Sequence, residues 1–202
     1  MTATSPRLVN WENGTDLVIE LPLAVDAATV WARLIDSETA GSWFASFTVD
    51  DAAAEADSVD ASGDEATDAD ADETSGAGGN SNPAITFDLG ETQLHGEILS
   101  CEVEDHVLVE LEDFGVLGMQ LLGLELTDGD ATLLVFTQSA PDVESARLKA
   151  ADFGPMWDTH LRLFARVLGL EVVEADESEL LALYADLELE DSQDAESGAN
   201  EA

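Results

Sequence analysis

The apolar positions of this chain fall mostly into short runs of period two, with a few stretches of helical period between them. Leu17 to Leu23 (LVIELPL) reads as a strand, with Pro22 near its end, where a missing donor is harmless. Ala27 to Ile35 (AATVWARLI) reads as a helix: Val30, Trp31 and Leu34 share one face, and Asp26 is placed to cap it. Ser37 is expected to cap a second short turn through Glu38 to Phe44. Further on, Ala84 to Leu89, Leu94 to Val103, His106 to Leu111, Met119 to Leu126 and Thr132 to Ser139 predict an antiparallel meander, with Asp128-Gly129-Asp130 as a hairpin turn. Alternation sets Val107, Val109 and Leu111 against Glu110 and Glu112, and Leu122, Leu124 and Leu126 against Glu125.

The clearest helix comes after the strands. Trp157, Leu161, Phe164 and Leu168 recur at spacings of four, three and four, and Gly169 stands where a C-terminal cap belongs. Such a stripe must lie on an apolar surface, which predicts a curved sheet around a C-terminal helix. In Asp176 to Leu189, Leu180, Leu183, Tyr184 and Leu187 again have helical spacing. That segment is expected either to fold back on the parent domain or to dock a protein partner.

Charge changes the picture of the surroundings. The 202 residues carry a net charge of −39, and no Lys or Arg lies between Arg33 and Arg147. Self-repulsion of this size works against a compact state in dilute buffer, whereas at molar salt the Debye length falls to about 3 Å. The expectation is a cytoplasmic protein of a salt-accumulating halophile. Nucleic acid and membrane surfaces are excluded as partners, because both are bound by Lys and Arg clusters. No apolar run approaches a membrane span, and Met1 to Asn10 lacks the pattern of a signal peptide.

Residues 51–82 form an acidic low-complexity insertion that is expected to be disordered, and residues 191–202 a disordered tail. Residues 1–170 are then the domain and 171–190 an acidic extension with a short helix. Within the insertion, Asp68, Asp70 and Asp72 alternate like the first ligands of a calcium loop. The position of the turn glycine is Glu73, however, and that of the closing glutamate is Gly79, so no metal site is expected. Cys101, the single cysteine, reads as a small strand residue rather than a nucleophile.

Four segments resemble a known family. Val30-Trp31-Ala32-Arg33-Leu34 with Trp43-Phe44 is similar to the opening signature of the activator of 90-kDa heat-shock protein ATPase homologues, within the START-like, or SRPBCC, superfamily. Leu94-His95-Gly96-Glu97-Ile98-Leu99 resembles that family's central strand. Asp130 to Ser139 resembles its last strand, and Gly154 to Leu161 its closing helix. The resemblance covers Leu17 to Gly169 apart from the insertion. It implies an α+β helix-grip fold: six or seven antiparallel strands, with Ser46 to Asp50 as the second, curved around a long C-terminal helix, and two short helices after the first strand. It departs from the family pattern in the insertion after Asp50 and in Gln138, where many relatives carry His.

The resemblance also implies a cavity for a small apolar molecule between sheet and helix. Its expected lining, from alternation and family register, is Trp43, Phe44, Phe87, His95, Leu124, Phe136, Gln138, Trp157, His160 and Leu161. No cofactor is implied. The leading reading is a ligand-binding module, monomeric or dimeric. The alternatives are a cyclase- or hydrolase-like enzyme using the same cavity, for which no nucleophile, metal cluster or phosphate loop is found, and a chaperone-regulating interaction protein.

Overall fold

The computed structural model describes residues 1–50, 82–126 and 129–191. The insertion except Asn82, its Asp68–Asp70–Asp72 motif, the tail after Asp191 and the first residue of the predicted hairpin turn lie outside these. Nine strands form one curved sheet: β1 (Ser5–Trp11), β2 (Gly14–Leu23), β3 (Ser46–Asp50), β4 (Ala84–Asp88), β5 (Gln93–Glu102), β6 (His106–Leu111), β7 (Gly115–Leu126), β8 (Gly129–Ala140) and β9 (Leu189–Asp191). Their order is β3-β4-β5-β6-β7-β8-β2-β1-β9. Neighbours pair antiparallel except β1 and β9, which run parallel. With α1 (Ala27–Leu34), α2 (Ser37–Ala40) and the long α3 (Val143–Val167), this is the helix-grip arrangement.

Two expectations need correction. The sheet has nine strands rather than six or seven, and the two short helices follow the second strand rather than the first. The helix order stems from β1, whose buried residues Leu8 and Val9 are adjacent rather than alternating, so that no period of two marks it, and the strand count stems from β1 together with the three-residue β9. The cap of α2 also differs. The Asp36 carboxylate accepts from the Thr39 N–H, while the Ser37 hydroxyl donates to the Phe47 carbonyl at 2.6 Å and accepts its N–H at 2.8 Å, fastening α2 to β3.

The predicted stripe of α3 is largely buried: Trp157, Leu161 and Phe164 lie in the core and Leu168 packs against it. Asp142 caps the N-terminus, and Gly169, at φ 78, ends the helix in the left-handed conformation that glycine adopts without penalty. The chain then returns across the back of α3. Val172 bridges Thr2, and α4 (Glu177–Ala185) opens with a capping box between Asp176 and Glu179. Leu180 and Tyr184 of α4 are buried, whereas Leu183 is exposed. Leu187 also packs against the core, so three of the four leucine and tyrosine positions that could have met a partner are spent within the molecule.

Candidate functional site

α3 packs mainly on β2, with lesser contacts to β8 and β1. The other half of the concave face, from β3 to β7, is left for α1, α2 and a cavity of about 270 Å³. That volume sits at the small end for sites that take small molecules. It opens at one edge of the sheet, where the lining residues Ile35 and Val49 are 51% and 44% exposed.

The floor is set by strand parity. Ile85 and Phe87 of β4 and Val107, Val109 and Leu111 of β6 face the cavity, as do Leu117 and Met119 of β7. On β5 the parity changes midway. One extra residue between Ile98 and Ser100 makes a β-bulge, so Ile98 pairs with Val109 but Cys101 pairs with Val107, and both side chains reach the same floor. Without the bulge Cys101 would face the other way. The roof is aromatic. Phe44 lies 5.5 Å from Trp157 and 5.3 Å from Phe87 between ring centroids, and Trp157 lies 5.2 Å from Phe136.

Five of the ten residues expected to line a cavity are thus brought together around this one: Trp43, Phe44, Phe87, Phe136 and Trp157. The other five stand elsewhere. His95 is exposed, on the opposite sheet face from Leu94, with its Nδ1 3.1 Å from the Thr86 hydroxyl. Leu124 is 41% exposed, because the β7 residues facing inward are Leu117, Met119 and Leu121. It borders a separate shallow depression with Met1 and Leu170. Leu161 is core packing. Gln138 is fully buried and donates Nε2–H to the Phe114 carbonyl at 3.0 Å, a carbonyl that also accepts from Lys149. His160 donates Nδ1–H to the Trp43 carbonyl at 2.5 Å and stacks edge-on against Phe44, so it positions the aromatic roof from behind.

The residues that sequence reasoning left out are chiefly Ile98, Cys101, Leu117 and Met119. Leu117 precedes the expected start of its strand, and Cys101 is hidden by the bulge. Alternation puts Val107, Val109 and Leu111 on one face but does not identify that face as the cavity's.

Electrically the cavity is bare. Among the described lining residues none carries a charge, and Cys101 is the sole titratable one. Burying a carboxylate or ammonium against such a wall costs several kcal/mol after relaxation, roughly more than the ~1.5–3 kcal/mol that a hydrogen bond to a charged group returns. Two lining side chains also hold unused donors: the indole N–H groups of Trp43 and Trp157 are buried and have no acceptor. The buried Gln138 Oε1 is likewise unpartnered.

Elsewhere, ligand atoms of Glu102, Asp105 and His106 lie within 4.8 Å of one another. His106 Nδ1–H donates to Asp105 at 2.6 Å, and its Nε2 lies 2.8 Å from the Ser100 hydroxyl, so no lone pair of the imidazole is free for a cation. No described helix is long and apolar enough to cross a membrane.

No protein-family profile matches the chain, and no curated protein is similar to it in sequence. Solved structures are similar in fold. A conserved protein of unknown function from Enterococcus faecalis, EF2215, superposes with a TM-score of 0.57 at 15% identity over 89% of this chain and 88% of its own. CalU16 from Micromonospora echinospora gives 0.51 at 14% identity over 82% and 74%. SSP2350 from Staphylococcus saprophyticus gives 0.50 at 14% identity over 79% and 97%. These likenesses are ones of architecture.

Proposed function

We propose that the protein is a binding module for a small hydrophobic ligand held between the open half of the sheet and the aromatic roof. The observation that carries this reading is the cavity itself: an uncharged, aromatic-roofed space that opens at one sheet edge, in a fold whose α3 covers only the other half. Burying apolar ligand surface there yields roughly 25 cal/mol per Å² before the costs of association. The apolar wall favours binding over catalysis, since general acid–base or nucleophilic chemistry needs polar groups within reach of the substrate.

The finer assignment follows from the sequence motifs. We place the chain with the activator of 90-kDa heat-shock protein ATPase homologues of the START-like superfamily, as a cytoplasmic protein of a halophile. Its domain organisation is residues 1–170 as the START-like domain, interrupted in sequence by the acidic insertion 51–82, with 171–190 as an extension.

Purification in multimolar potassium chloride, followed by solvent extraction and mass analysis, tests the reading. Val107→Phe, which fills the cavity floor, is the control. A stoichiometric small molecule present in the native extract and missing from the variant is the expected result. A dye-displacement assay in which wild type and Val107→Phe behave alike would overturn it.

A further inference from the structure

The bulge in β5 serves the outer face of the sheet as well as the cavity. In turning Cys101 inward it turns Ser100 outward, opposite Leu108 and onto the face that carries Glu102 and His106. There Ser100 Oγ lies 2.8 Å from His106 Nε2, and His106 Nδ1 lies 2.6 Å from an Asp105 carboxylate oxygen. A hydroxyl on one imidazole nitrogen and a carboxylate on the other is the arrangement that activates a serine for attack. The carboxylate fixes the tautomer: Nδ1 carries the proton, so Nε2 presents its lone pair to the Ser100 O–H.

The backbone holds the three in place. Asp105 is tied at both of its peptide groups: its N–H donates to the Glu102 carbonyl at 3.2 Å, and its carbonyl accepts from Leu121 N–H at 2.7 Å. Among the described residues Glu104, next to it, is the one non-glycine at positive φ, 61, a conformation that a side chain disfavours and the tight β5–β6 turn imposes. The bond from Leu121 to Asp105 also makes His106 and Gln120 a close cross-strand pair, since such bonds flank the pairs whose own backbones do not bond each other. Gln120 thus brings a side-chain amide, a donor, beside the imidazole. Ser100 is exposed and the His106 side chain is 31% exposed, so a substrate reaches both from solvent.

We infer that Ser100, His106 and Asp105 form a second site, on the outer face of the β5–β6 hairpin and independent of the cavity, that hydrolyses small acyl esters. Ser100 Oγ attacks the ester carbonyl carbon while its proton passes to His106 Nε2, and Asp105 faces the imidazolium so formed. The Gln120 amide donates to the carbonyl oxygen as it gains negative charge. Collapse of the tetrahedral adduct breaks the bond to the alcohol oxygen, which leaves with the proton from Nε2. Water then attacks the acyl-Ser100 ester, again losing a proton to His106, and the carboxylic acid departs as that proton returns to Ser100 Oγ.

The full chain in molar potassium chloride, given 4-nitrophenyl acetate, tests this by nitrophenolate release and by peptide mass spectrometry of the acid-quenched protein. The expected result is turnover above the buffer rate with an acetyl group on Ser100. Ser100→Ala and His106→Gln should each lose about a hundredfold, within the range that a positioned base contributes. Asp105→Asn and Gln120→Leu should slow the reaction while leaving the acetyl group on Ser100. Circular dichroism melts that match wild type confirm that each variant is folded, which an exposed serine and half-exposed histidine allow. An acetyl group on Cys101 or Lys149 with none on Ser100 would overturn the site. So would a folded Ser100→Ala variant that turns over the ester as fast as wild type.

Discussion

A single missing methyl group holds the C-terminal helix in place. A Cβ at Gly154 would stand 2.1 Å from Cδ1 of Tyr184, so the ring of α4 lies directly on the backbone of α3. From that seat the Tyr184 hydroxyl donates to Asp158 at 2.9 Å, a fully buried carboxylate that also accepts from Thr4 at 2.7 Å and from Arg162. Burial, and then the neighbouring Asp158 charge, push the Tyr184 hydroxyl well above its ordinary range, which keeps it a donor. Gly154→Ala should therefore destabilise the protein by about 1–3 kcal/mol, the usual cost of overpacking, despite alanine's better helix propensity. Thermal denaturation checks this, and a variant as stable as wild type would show that Tyr184 is not seated as described.

At the scale of elements, all four helices among the described residues begin with an aspartate. Asp26, Asp36, Asp142 and Asp176 are each held below the usual carboxylate range by hydrogen bonds from the first turn: from Thr29, Thr39, Ser145 and Ser178 respectively, with backbone N–H groups contributing at each. A depressed folded-state pKa adds stability that is fully present above the unfolded value, about 3.9. It is lost as the pH falls through the folded one. In molar salt, where self-repulsion is screened, stability should hold down to about pH 4 and drop below it. Asp142→Asn keeps the capping oxygen without the titration and should flatten that drop, as measured by circular dichroism melts between pH 5 and pH 2 (roughly, either side of the aspartate range). An unchanged slope would detach the caps from the acid response.

The same scale explains what could be read from the chain. Trp43, Phe44 and Trp157 were legible as one aromatic cluster because large rings at helical and turn positions of an amphipathic pattern have nowhere else to go. The face of β7 was not legible. Leu122, Leu124 and Leu126 alternate with Glu125 and so read as the inward face, yet the buried residues are Leu117 and Leu121 on the other parity, and Leu124 lies on the outer side. His95 shows the limit of motif register: its neighbour Leu94 is the inward residue, and a one-position offset turns a side chain to the opposite face. The bulge that brings Cys101 to the cavity has no sequence signature at all. α4 was visible in its spacing, but its seat on Gly154 depends on a contact thirty residues distant in the chain (184 against 154).

For the whole molecule, bases are scarce and half of the six link the chain's ends to its body. Arg7 of β1 pairs with Glu20 and with Glu190 of β9, Arg162 donates to the Val173 carbonyl as well as to Asp158, and Arg166 reaches both oxygens of Glu174 at 2.6 Å. The remaining acidic surface has few such partners. Far-ultraviolet circular dichroism against potassium chloride concentration should therefore show folding only as salt rises toward molar levels, where the repulsion is screened. Full cooperative folding in dilute, salt-free buffer would refute this.

The pairing of β9 on β1 has a consequence for the order in which the molecule can be made. β1 is translated before the strand that covers part of its outer edge, in which Leu189–Asp191 pairs with Leu8, Val9 and Asn10. Throughout synthesis that edge offers unpaired backbone groups to any passing strand, and the latch of Tyr184 on α3 has yet to be translated. The acidic coat, which keeps neighbouring copies apart by repulsion, works against such pairing over that interval.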